Sequence, residues 1–282
     1  MMCAVKCMSD SFCGELKALT PVNVEKWHDG VPAWSEDTVA VEAPVALEYN
    51  GISHAVMMAS PHDLEDFALG FSVSEGILKD AAELYESEVF SAVDGLRIAM
   101  RISSERFVAL KEFRRNLTGR TGCGLCGTET LQQAVRHPAP VASVARFSGA
   151  AVLAGMRAMH EYQVMQQQSG ATHAAAWMDQ DGRIVFVRED VGRHNALDKL
   201  IGAILRARLD VSMGAVLITS RASVEIVQKA ATLGIGMLAA ISAPTSLAIQ
   251  LAQETGVTLL GFVRQKSYVV YAHPERLLEK GE

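Results

Sequence analysis

The chain has 282 residues, of which 49% are hydrophobic and 21% are charged, and its formal net charge is −6. This is the composition of an ordinary globular protein and suits two modest domains or one large one. The negative net charge excludes a general nucleic-acid binder, so any site for an anion must be local. No stretch approaches 18 uninterrupted apolar residues, and the first residues lack a signal-peptide pattern. We therefore expect a cytoplasmic protein without a membrane span.

The first half of the chain predicts hairpins and helices. Residues 1–36 show no sustained periodicity and are predicted to form a mobile tail. The dipeptides Asn50-Gly51 and Asp94-Gly95 are typical of tight hairpin turns, and Ser60 is placed to cap a helix that Gly76 ends. The predicted elements are strands from Val39 to Tyr49 and from Ile52 to Met58, a helix from Ser60 to Gly76, a hairpin from Val89 to Ile102, and a helix from Ser104 to Leu117.

The second half alternates helices with short apolar strands, which indicates an α/β layered sheet that is parallel through its centre. Two prolines within residues 136–140 mark a break. We predict a tail over residues 1–36, an N-terminal α+β part with hairpins over 37–140, and an α/β domain over 141–282. The predicted helices run from Ala150 to Gln168, Asn195 to Arg208, Val224 to Leu233 and Leu247 to Thr255. The predicted strands run from His173 to Met178, Arg183 to Arg188, Ala215 to Thr219, Met237 to Ile241, Leu259 to Val263 and Tyr268 to Tyr271.

Cys123 and Cys126 stand in the segment Thr118-Gly-Arg-Thr-Gly-Cys-Gly-Leu-Cys-Gly, where four of ten residues are glycine. Glycine permits backbone angles that other residues resist, so this segment is predicted to be a loop. Cations lower the pKa of a nearby thiol from about 8.5, and Arg120 and the end of the preceding helix supply them. Those helix charges equally suit a solvated face or the negative end of the helix dipole. They are Lys111, Arg114 and Arg115.

Four kinds of chemistry can be compared for this thiol pair. Structural zinc needs four ligands, and the nearest further pair, Cys3 and Cys7, is far away in the sequence, which makes zinc the weaker account. Thioredoxin-type pairs follow an apolar strand, and zinc deaminases place His-x-Glu before their thiols; neither pattern is present. A carrier role remains, in which one thiolate accepts sulfur as a persulfide and the other resolves it as a disulfide. We assign no metal ligands.

Three polar loops follow strands at the sheet edge where α/β proteins bind ligands. Ser220 to Ser223 offers hydroxyls, the Arg221 guanidinium and backbone N–H groups at a helix start. Residues 242–246 repeat this arrangement without the cation, and residues 262–267 add two cations and an aromatic ring. Each loop alone suits a capped helix or a hairpin tip, whereas the three together favour a phosphate-bearing ligand. No P-loop or Rossmann glycine pattern supports ATP hydrolysis or dinucleotide binding.

The run from Asp190 to Lys199 is the other dense polar stretch. It leaves a strand, turns at Gly192 and enters a helix. His194 and Asp198 stand at i, i+4 on one helical face, which allows a hydrogen-bonded pair or two metal ligands. A structural network at the helix start explains the same residues equally well.

Six motifs in order resemble one protein family, the formate dehydrogenase accessory sulfurtransferases of the FdhD/NarQ family. The resemblance runs from about Val41 to Leu277. Besides the cysteine segment, the motifs are Thr172-His-Ala-Ala-Ala, Glu189-Asp-Val-Gly-Arg-His-Asn-Ala-Leu-Asp-Lys, Ser220-Arg-Ala-Ser, Ala243-Pro-Thr-Ser-Leu-Ala and Leu260-Gly-Phe-Val-Arg.

The resemblance implies a cytidine-deaminase-like fold without catalytic zinc, a homodimer and a sulfurtransferase. Cys123 would receive sulfur as a persulfide from a cysteine desulfurase, with Cys126 as its partner thiol. The acceptor would be Mo-bis(molybdopterin guanine dinucleotide), carried as cargo before insertion into the formate dehydrogenase apoenzyme, and GDP is expected to be a partial mimic. The competing hypothesis is a non-catalytic chaperone of cofactor and apoenzyme whose thiols are structural. The cofactor contacts that we predict are Phe262, Val263, Arg264, Gln265, Lys266, Ser267, Ser220, Arg221 and His194.

Overall fold

The computed structural model describes residues 6–7, 17–117 and 136–278. Within these ranges the chain forms a five-stranded sheet, a six-stranded sheet, two two-stranded sheets and seven α-helices. The strands are β1 Lys6–Cys7, β2 Leu19–His28, β3 Val31–Ala40, β4 Ala43–Tyr49, β5 Ile52–Ala59, β6 Leu84–Ala92, β7 Gly95–Ile102, β8 Phe147–Ser148, β9 His173–Met178, β10 Ile184–Asp190, β11 Ala215–Ile218, β12 Met237–Ala240, β13 Thr258–Arg264, β14 Ser267–Ala272 and β15 Leu277–Leu278. The helices are α1 Leu64–Ser74, α2 Ser104–Leu117, α3 Gly149–Met159, α4 Val164–Ser169, α5 Arg193–Arg206, α6 Val224–Thr232 and α7 Ser246–Thr255.

The five-stranded sheet has the order β1-β6-β7-β4-β5, and α1 packs on one of its faces around a core that includes Tyr49 and Phe67. The two predicted hairpins are confirmed as β4–β5 and β6–β7. Asn50 and Gly51 both have positive φ, at 46° and 81°, as a type I′ turn requires. The predicted helix from Ser104 to Leu117 is confirmed as α2.

The predicted tail is wrong for residues 19–36, because β2 and β3, which have ten residues each, pair there as an antiparallel hairpin. Its turn is Asp29-Gly30, with φ values of 51° and 81°, which is the same turn chemistry that was recognised further along the chain. The strand predicted from Val39 to Tyr49 is in fact two strands, since β3 ends at Ala40 and β4 begins at Ala43. Backbone of residues 6–7 also pairs with β6 in parallel.

Two predicted helices have different bounds. Ser60 does not cap α1, which begins at Leu64 after Asp63. Instead Ser60 is buried, and its side chain accepts a hydrogen bond from the backbone of Val191 at 3.1 Å. The helix predicted from Ala150 to Gln168 is interrupted near Gln163 and forms α3, a short 3₁₀ turn and α4, which Gly170 ends in a left-handed conformation.

The six-stranded sheet has the order β10-β9-β11-β12-β13-β14, and its central strands β11, β12 and β13 are parallel as predicted. The apolar faces of α5, α6 and α7 pack on one side of this sheet. The other side is covered by α3. The four-residue strands β11 and β12 are completely buried, which explains why they appear in the sequence as short, uninterrupted apolar runs.

The two larger sheets are joined where α1 crosses α5. A Cβ atom on Gly70 would lie 1.7 Å from the carbonyl oxygen of Asp198, and one on Gly202 would lie 1.9 Å from that of Asp66. Only glycine permits this approach of two helix backbones. The Asp66 carboxylate also accepts hydrogen bonds from Arg188, at 2.7 and 2.9 Å. Residues 136–146 have no regular secondary structure, and the division of the chain near residue 140 stays a prediction.

Candidate functional site

The carboxyl ends of β10, β11, β12 and β13 lie at one edge of the six-stranded sheet. The amino end of β9 meets them there, because β9 runs antiparallel to both of its neighbours. Backbone hydrogen bonds join the loops at this edge: Ile241 to Ile218 at 3.0 Å, Thr245 to Ala222 at 3.0 Å, and Phe262 to Ser242 at 3.2 Å. The structure therefore brings the three predicted polar loops together, and we call this the carboxyl edge.

The loop from Phe262 to Ser267 is strained at two residues, and its last four residues are exposed. Phe262 and Gln265 have φ values of 52° and 54°, in a region that residues other than glycine rarely occupy. The Arg264 guanidinium lies 5.4 Å from the centre of the Phe262 ring, while Lys266 is exposed. Val263 is fully buried in the core, so only its backbone can face a ligand.

The loop from Ser220 to Ser223 divides between the interior and the solvent. Ser220 is buried, and its hydroxyl donates a hydrogen bond to the carbonyl oxygen of Arg221 at 3.0 Å. The side chain of Arg221 is exposed. Ser223 precedes α6, and its hydroxyl lies 3.4 Å from Nε2 of His194.

The run from Asp190 to Lys199 is largely structural. The fully buried Asp190 carboxylate lies 2.6 Å from the Lys199 ammonium and accepts hydrogen bonds from Ser60 N and Asn195 Nδ2, both at 3.0 Å. Asp198 lies one turn after His194 on α5, and its carboxylate accepts hydrogen bonds from Ser74 and Lys229. The pairing of His194 with Asp198 is therefore wrong, and the structural network accounts for both acidic residues.

Two other residues of this run, Arg193 and His194, lie at the carboxyl edge. Burial and the Arg193 guanidinium lower the pKa of His194, whose Nε2 lies 3.9 Å from the Glu225 carboxylate. The same two causes lower the pKa of His173. Nε of Arg193 is buried and has no hydrogen-bond partner among the described residues.

Arg193 and His173 are not among the predicted site residues, although they stand in the motifs that begin at Glu189 and at Thr172. The signal that could have found them is their position, since each is the residue where an element begins at the carboxyl edge. Arg193, Arg221, Arg264 and Lys266 make this edge cationic within a chain of negative net charge, whereas His173, with its lowered pKa, contributes a neutral ring. Guanidinium groups bind phosphates through paired hydrogen bonds, so the edge is suited to a polyanionic ligand.

Cys123 and Cys126 lie outside the described residues. The chain is described as far as Leu117, at the end of α2, and again from Arg136. At that point the Arg136 backbone donates to the Gln228 side chain at 2.9 Å, and its guanidinium donates to Glu75 at 3.0 Å. Within the described parts of the chain, no three His, Cys, Asp or Glu residues are grouped so that they could hold a metal ion.

Comparisons with known proteins agree on one family. The family model of the FdhD/NarQ family matches residues 40–278. The sulfur carrier protein FdhD of Cupriavidus necator is 56% identical over 254 residues, which are 90% of this chain and 88% of that protein. The protein of the same name from Bordetella petrii is 56% identical over 245 residues, 87% of this chain and 88% of the relative.

A solved structure supports the same relationship. The crystal structure assigned as a formate dehydrogenase accessory protein from Desulfotalea psychrophila is 26% identical and superposes with a TM-score of 0.72, covering 93% of this chain and 100% of that chain. In the residues that are described here, none of the helices is long and apolar enough to cross a membrane.

Proposed function

We propose that this chain, which belongs to the FdhD/NarQ family, is a sulfur carrier for formate dehydrogenase and works by persulfide transfer. Relatives that share 50–56% identity over most of their length carry the name of sulfur carrier protein. The position of Arg136 is the observation that supports sulfur transfer to a ligand at the carboxyl edge. The segment with both thiols rejoins the described fold at this residue, on the same helix, α6, whose first turn lies at the cationic carboxyl edge.

The first step is sulfur loading. The thiolate of Cys123 attacks the outer sulfur of a persulfide on a cysteine desulfurase. The sulfur–sulfur bond of the donor breaks, a new one forms on Cys123, and the donor cysteine leaves as a thiolate. One sulfane sulfur moves and no net oxidation occurs.

The second step is delivery. The thiolate of Cys126 attacks the inner sulfur of the Cys123 persulfide, which forms a Cys123–Cys126 disulfide and releases the outer sulfur as hydrosulfide. The two cysteines thus supply both electrons that reduce the sulfane sulfur. An external dithiol reductant returns the disulfide to two thiols and so completes the cycle.

The acceptor in this proposal is Mo-bis(molybdopterin guanine dinucleotide), which the protein handles as cargo before it enters the formate dehydrogenase apoenzyme. The phosphates of such a ligand match the cations of the carboxyl edge, Arg193 and Arg221 above all. The loop from Phe262 to Ser267 would contact the cofactor beside them, and His194 would hydrogen-bond to it. GDP is then the simplest probe of the edge.

The proposal has three further parts, of which the first two follow from the family resemblance. They are a cytidine-deaminase-like fold of the six-stranded layer, a homodimer and a cytoplasmic location. The mixed sheet with helices on both faces supports the first. Sedimentation equilibrium tests the second, because a single species of the 30.4 kDa monomer mass would contradict it.

The loading step is tested by mass spectrometry after incubation with a cysteine desulfurase and cysteine. We expect a gain of one sulfur on the peptide that contains Cys123, removable by dithiothreitol and absent in Cys123→Ala. A wild-type protein that gains no sulfur, or a Cys123→Ala protein that gains as much, would refute persulfide loading.

The second candidate is a chaperone that binds cofactor and apoenzyme without transferring sulfur. It is favoured by one observation, namely that the carboxyl edge is assembled wholly from residues remote in sequence from the thiols. This alternative predicts that Cys123→Ala and Cys126→Ala still yield active formate dehydrogenase. The carrier mechanism predicts loss of activity in both variants while GDP binding persists.

A further inference from the structure

The β2–β3 hairpin has one face that is exposed along most of its length. The two strands pair in continuous register, and successive side chains of a strand point to opposite faces. The inner face is half-buried near the base of the hairpin, at Val22, Val24, Ser35 and Asp37. The other face, which we call the outer face, consists of the exposed residues Pro21, Asn23, Glu25, Trp27, Pro32, Trp34 and Glu36.

Two tryptophans dominate the outer face. The side chains of Trp27 and Trp34 are 64% and 77% exposed, whereas Trp177, the third tryptophan of the chain, is buried in the core. Trp27 lies directly opposite Pro32, and Trp34 lies directly opposite Glu25. The two indoles are therefore diagonal neighbours on one face, about 7–8 Å apart. Exposed apolar patches mark interaction surfaces, and tryptophan is enriched among the residues that contribute most to protein binding.

The hairpin is acidic. Between Leu19 and Ala40 it carries four carboxylates and one lysine. Lys26 lies 3.7 Å from Asp37 on the inner face, so the charges of the outer face are the carboxylates of Glu25 and Glu36. Arginine and lysine bind over indole rings and pair with carboxylates. The outer face therefore complements a protein surface on which such cations lie among apolar side chains.

The base of the hairpin lies beside the carboxyl edge. Strand β3 packs against α4. The first turn of α4 is held by the Glu189 carboxylate, which accepts hydrogen bonds from the backbone of Met165 and Gln166, both at 2.8 Å. Glu189 is the last residue but one of β10, whose carboxyl end belongs to this edge. Since α4 has six residues and is about 9 Å long, the hairpin starts close to the β10 end of the edge.

The distal half of the hairpin gains little from the rest of the fold. All ten residues from 25 to 34 are exposed. A two-stranded hairpin on its own is marginally stable in water at best. A strand of ten residues is about 33 Å long, so this half can contact a protein that approaches the carboxyl edge. Such a protein would supply the burial that the distal half lacks.

We propose that the outer face of the β2–β3 hairpin docks the formate dehydrogenase apoenzyme through arginine or lysine side chains that lie among apolar ones. This inference rests on the proposed function, because the protein that takes up the cofactor must approach the carboxyl edge. The desulfurase delivers sulfur to Cys123 and has no need of that edge. A second copy bound face to face about a two-fold axis would bring the carboxylates of Glu25 and Glu36 against like charges.

The test uses exposed side chains on the two faces of the same hairpin. Trp27→Ser, Trp34→Ser and the double variant Glu25→Gln, Glu36→Gln change the outer face. The matched control is Val31→Ser, which removes a 67% exposed apolar side chain from the inner face. The affinity of the full-length protein for purified apo-formate dehydrogenase is measured by biolayer interferometry at low and at high salt, without sulfur or cofactor. Affinity for GDP, sulfur loading by a cysteine desulfurase, sedimentation and unfolding in urea are measured on every variant.

We expect each tryptophan variant to bind the apoenzyme about tenfold more weakly or worse. The double glutamate variant should bind about threefold more weakly, with a smaller dependence on salt, because charges at the rim of an interface act mainly through electrostatic attraction. Val31→Ser should match wild type. Affinity for GDP, sulfur loading and stability should be unchanged in all variants, since none of the substituted side chains is buried.

Three results would overturn the docking role. The first is apoenzyme affinity that equals that of wild type in both tryptophan variants, or a wild-type protein that does not bind the apoenzyme. The second is an equal fall in GDP affinity or in loading, which would assign the face to the ligand or to the desulfurase. The third is dissociation of a wild-type dimer by Trp27→Ser or Trp34→Ser, which would assign it to a second copy. A wild-type protein that binds the apoenzyme but gains no sulfur would refute the proposed sulfur transfer alone, so the two failures are distinguishable.

Discussion

His62 makes the stability of this protein strongly dependent on pH. Its ring lies mostly buried between β5 and α1, and Nδ1 has no hydrogen-bond partner among the described residues. Burial, and then the nearby Lys199 ammonium, lower the pKa of His62 from 6.5 to about 3. Arg188 adds to this effect and Asp190 opposes it, while the Asp63 carboxylate lies 3.6 Å from Nε2 of His62. The folded protein therefore holds His62 neutral at any pH above about 3.

The sign and size of the effect follow from proton linkage. Below pH 6.5 the unfolded chain binds a proton at His62 and the folded chain does not, so stability falls as the pH falls. One proton changes the free energy of unfolding by about 1.4 kcal/mol per pH unit. Between pH 7.5 and 4.5 the contribution of His62 to stability should therefore fall by about 2–3 kcal/mol. This is a large share of the roughly 5–15 kcal/mol by which most domains are stable.

The assay is urea unfolding of wild type and of His62→Asn at pH 7.5 and at pH 4.5. Other titrating groups contribute equally to both proteins, so the difference between their two losses isolates His62. Wild type should lose about 2–3 kcal/mol more than the variant. His28→Asn, at an exposed ring beside the turn of the β2–β3 hairpin, serves as the control and should follow wild type. Equal losses in wild type and His62→Asn would refute the reasoning.

Three other predictions concern the join between the sheets and the carboxyl edge. Lys199→Met leaves the buried Asp190 carboxylate without its cation and should lower the free energy of unfolding in urea by about 3–5 kcal/mol; a loss below about 1 kcal/mol would contradict the buried pair. Gly202→Ala places a methyl group against the carbonyl oxygen of Asp66. We therefore expect insoluble protein or a fall of at least about 3 kcal/mol in the free energy of unfolding. A melting temperature equal to that of wild type would show that the two helices can move apart without cost. Arg193→Gln should weaken GDP binding about tenfold by calorimetry, because a charged hydrogen bond is worth about 1.5–3 kcal/mol, whereas an unchanged affinity would exclude Arg193 from the site.

The α/β layer could be predicted because its signals are local. Strands such as Ala215–Ile218 are short apolar runs that are buried on both faces, and helices such as Val224–Thr232 begin just after them at polar loops. The order of these elements then fixes which loops meet at the carboxyl edge, because parallel strands end on the same side. Local periodicity and chain order were sufficient for this part of the site.

The failures arose where distant residues decide the structure. Ser60 has the local features of a helix cap, yet its groups bond to Asp190 and Val191, about 130 residues away. Asp198 has the spacing for a pair with His194, yet a buried lysine on another helix outcompetes the half-exposed ring. No sequence window contains such partners. The sequence therefore could not show which residues between Asp190 and Lys199 are structural and which lie at the carboxyl edge.

The crossing of α1 and α5 has a consequence for how the chain folds. Its contacts join residues near position 70 to residues near position 200, so they can form only after a long loop has closed. If residues 141–282 were produced alone, Asp190 would lack its contact with Ser60 and Asp198 its contact with Ser74. Burial of such incompletely satisfied groups is costly. The C-terminal half should therefore complete its core only when the N-terminal half is already folded. Synthesis on the ribosome provides this order, because the N-terminal sheet leaves the ribosome first.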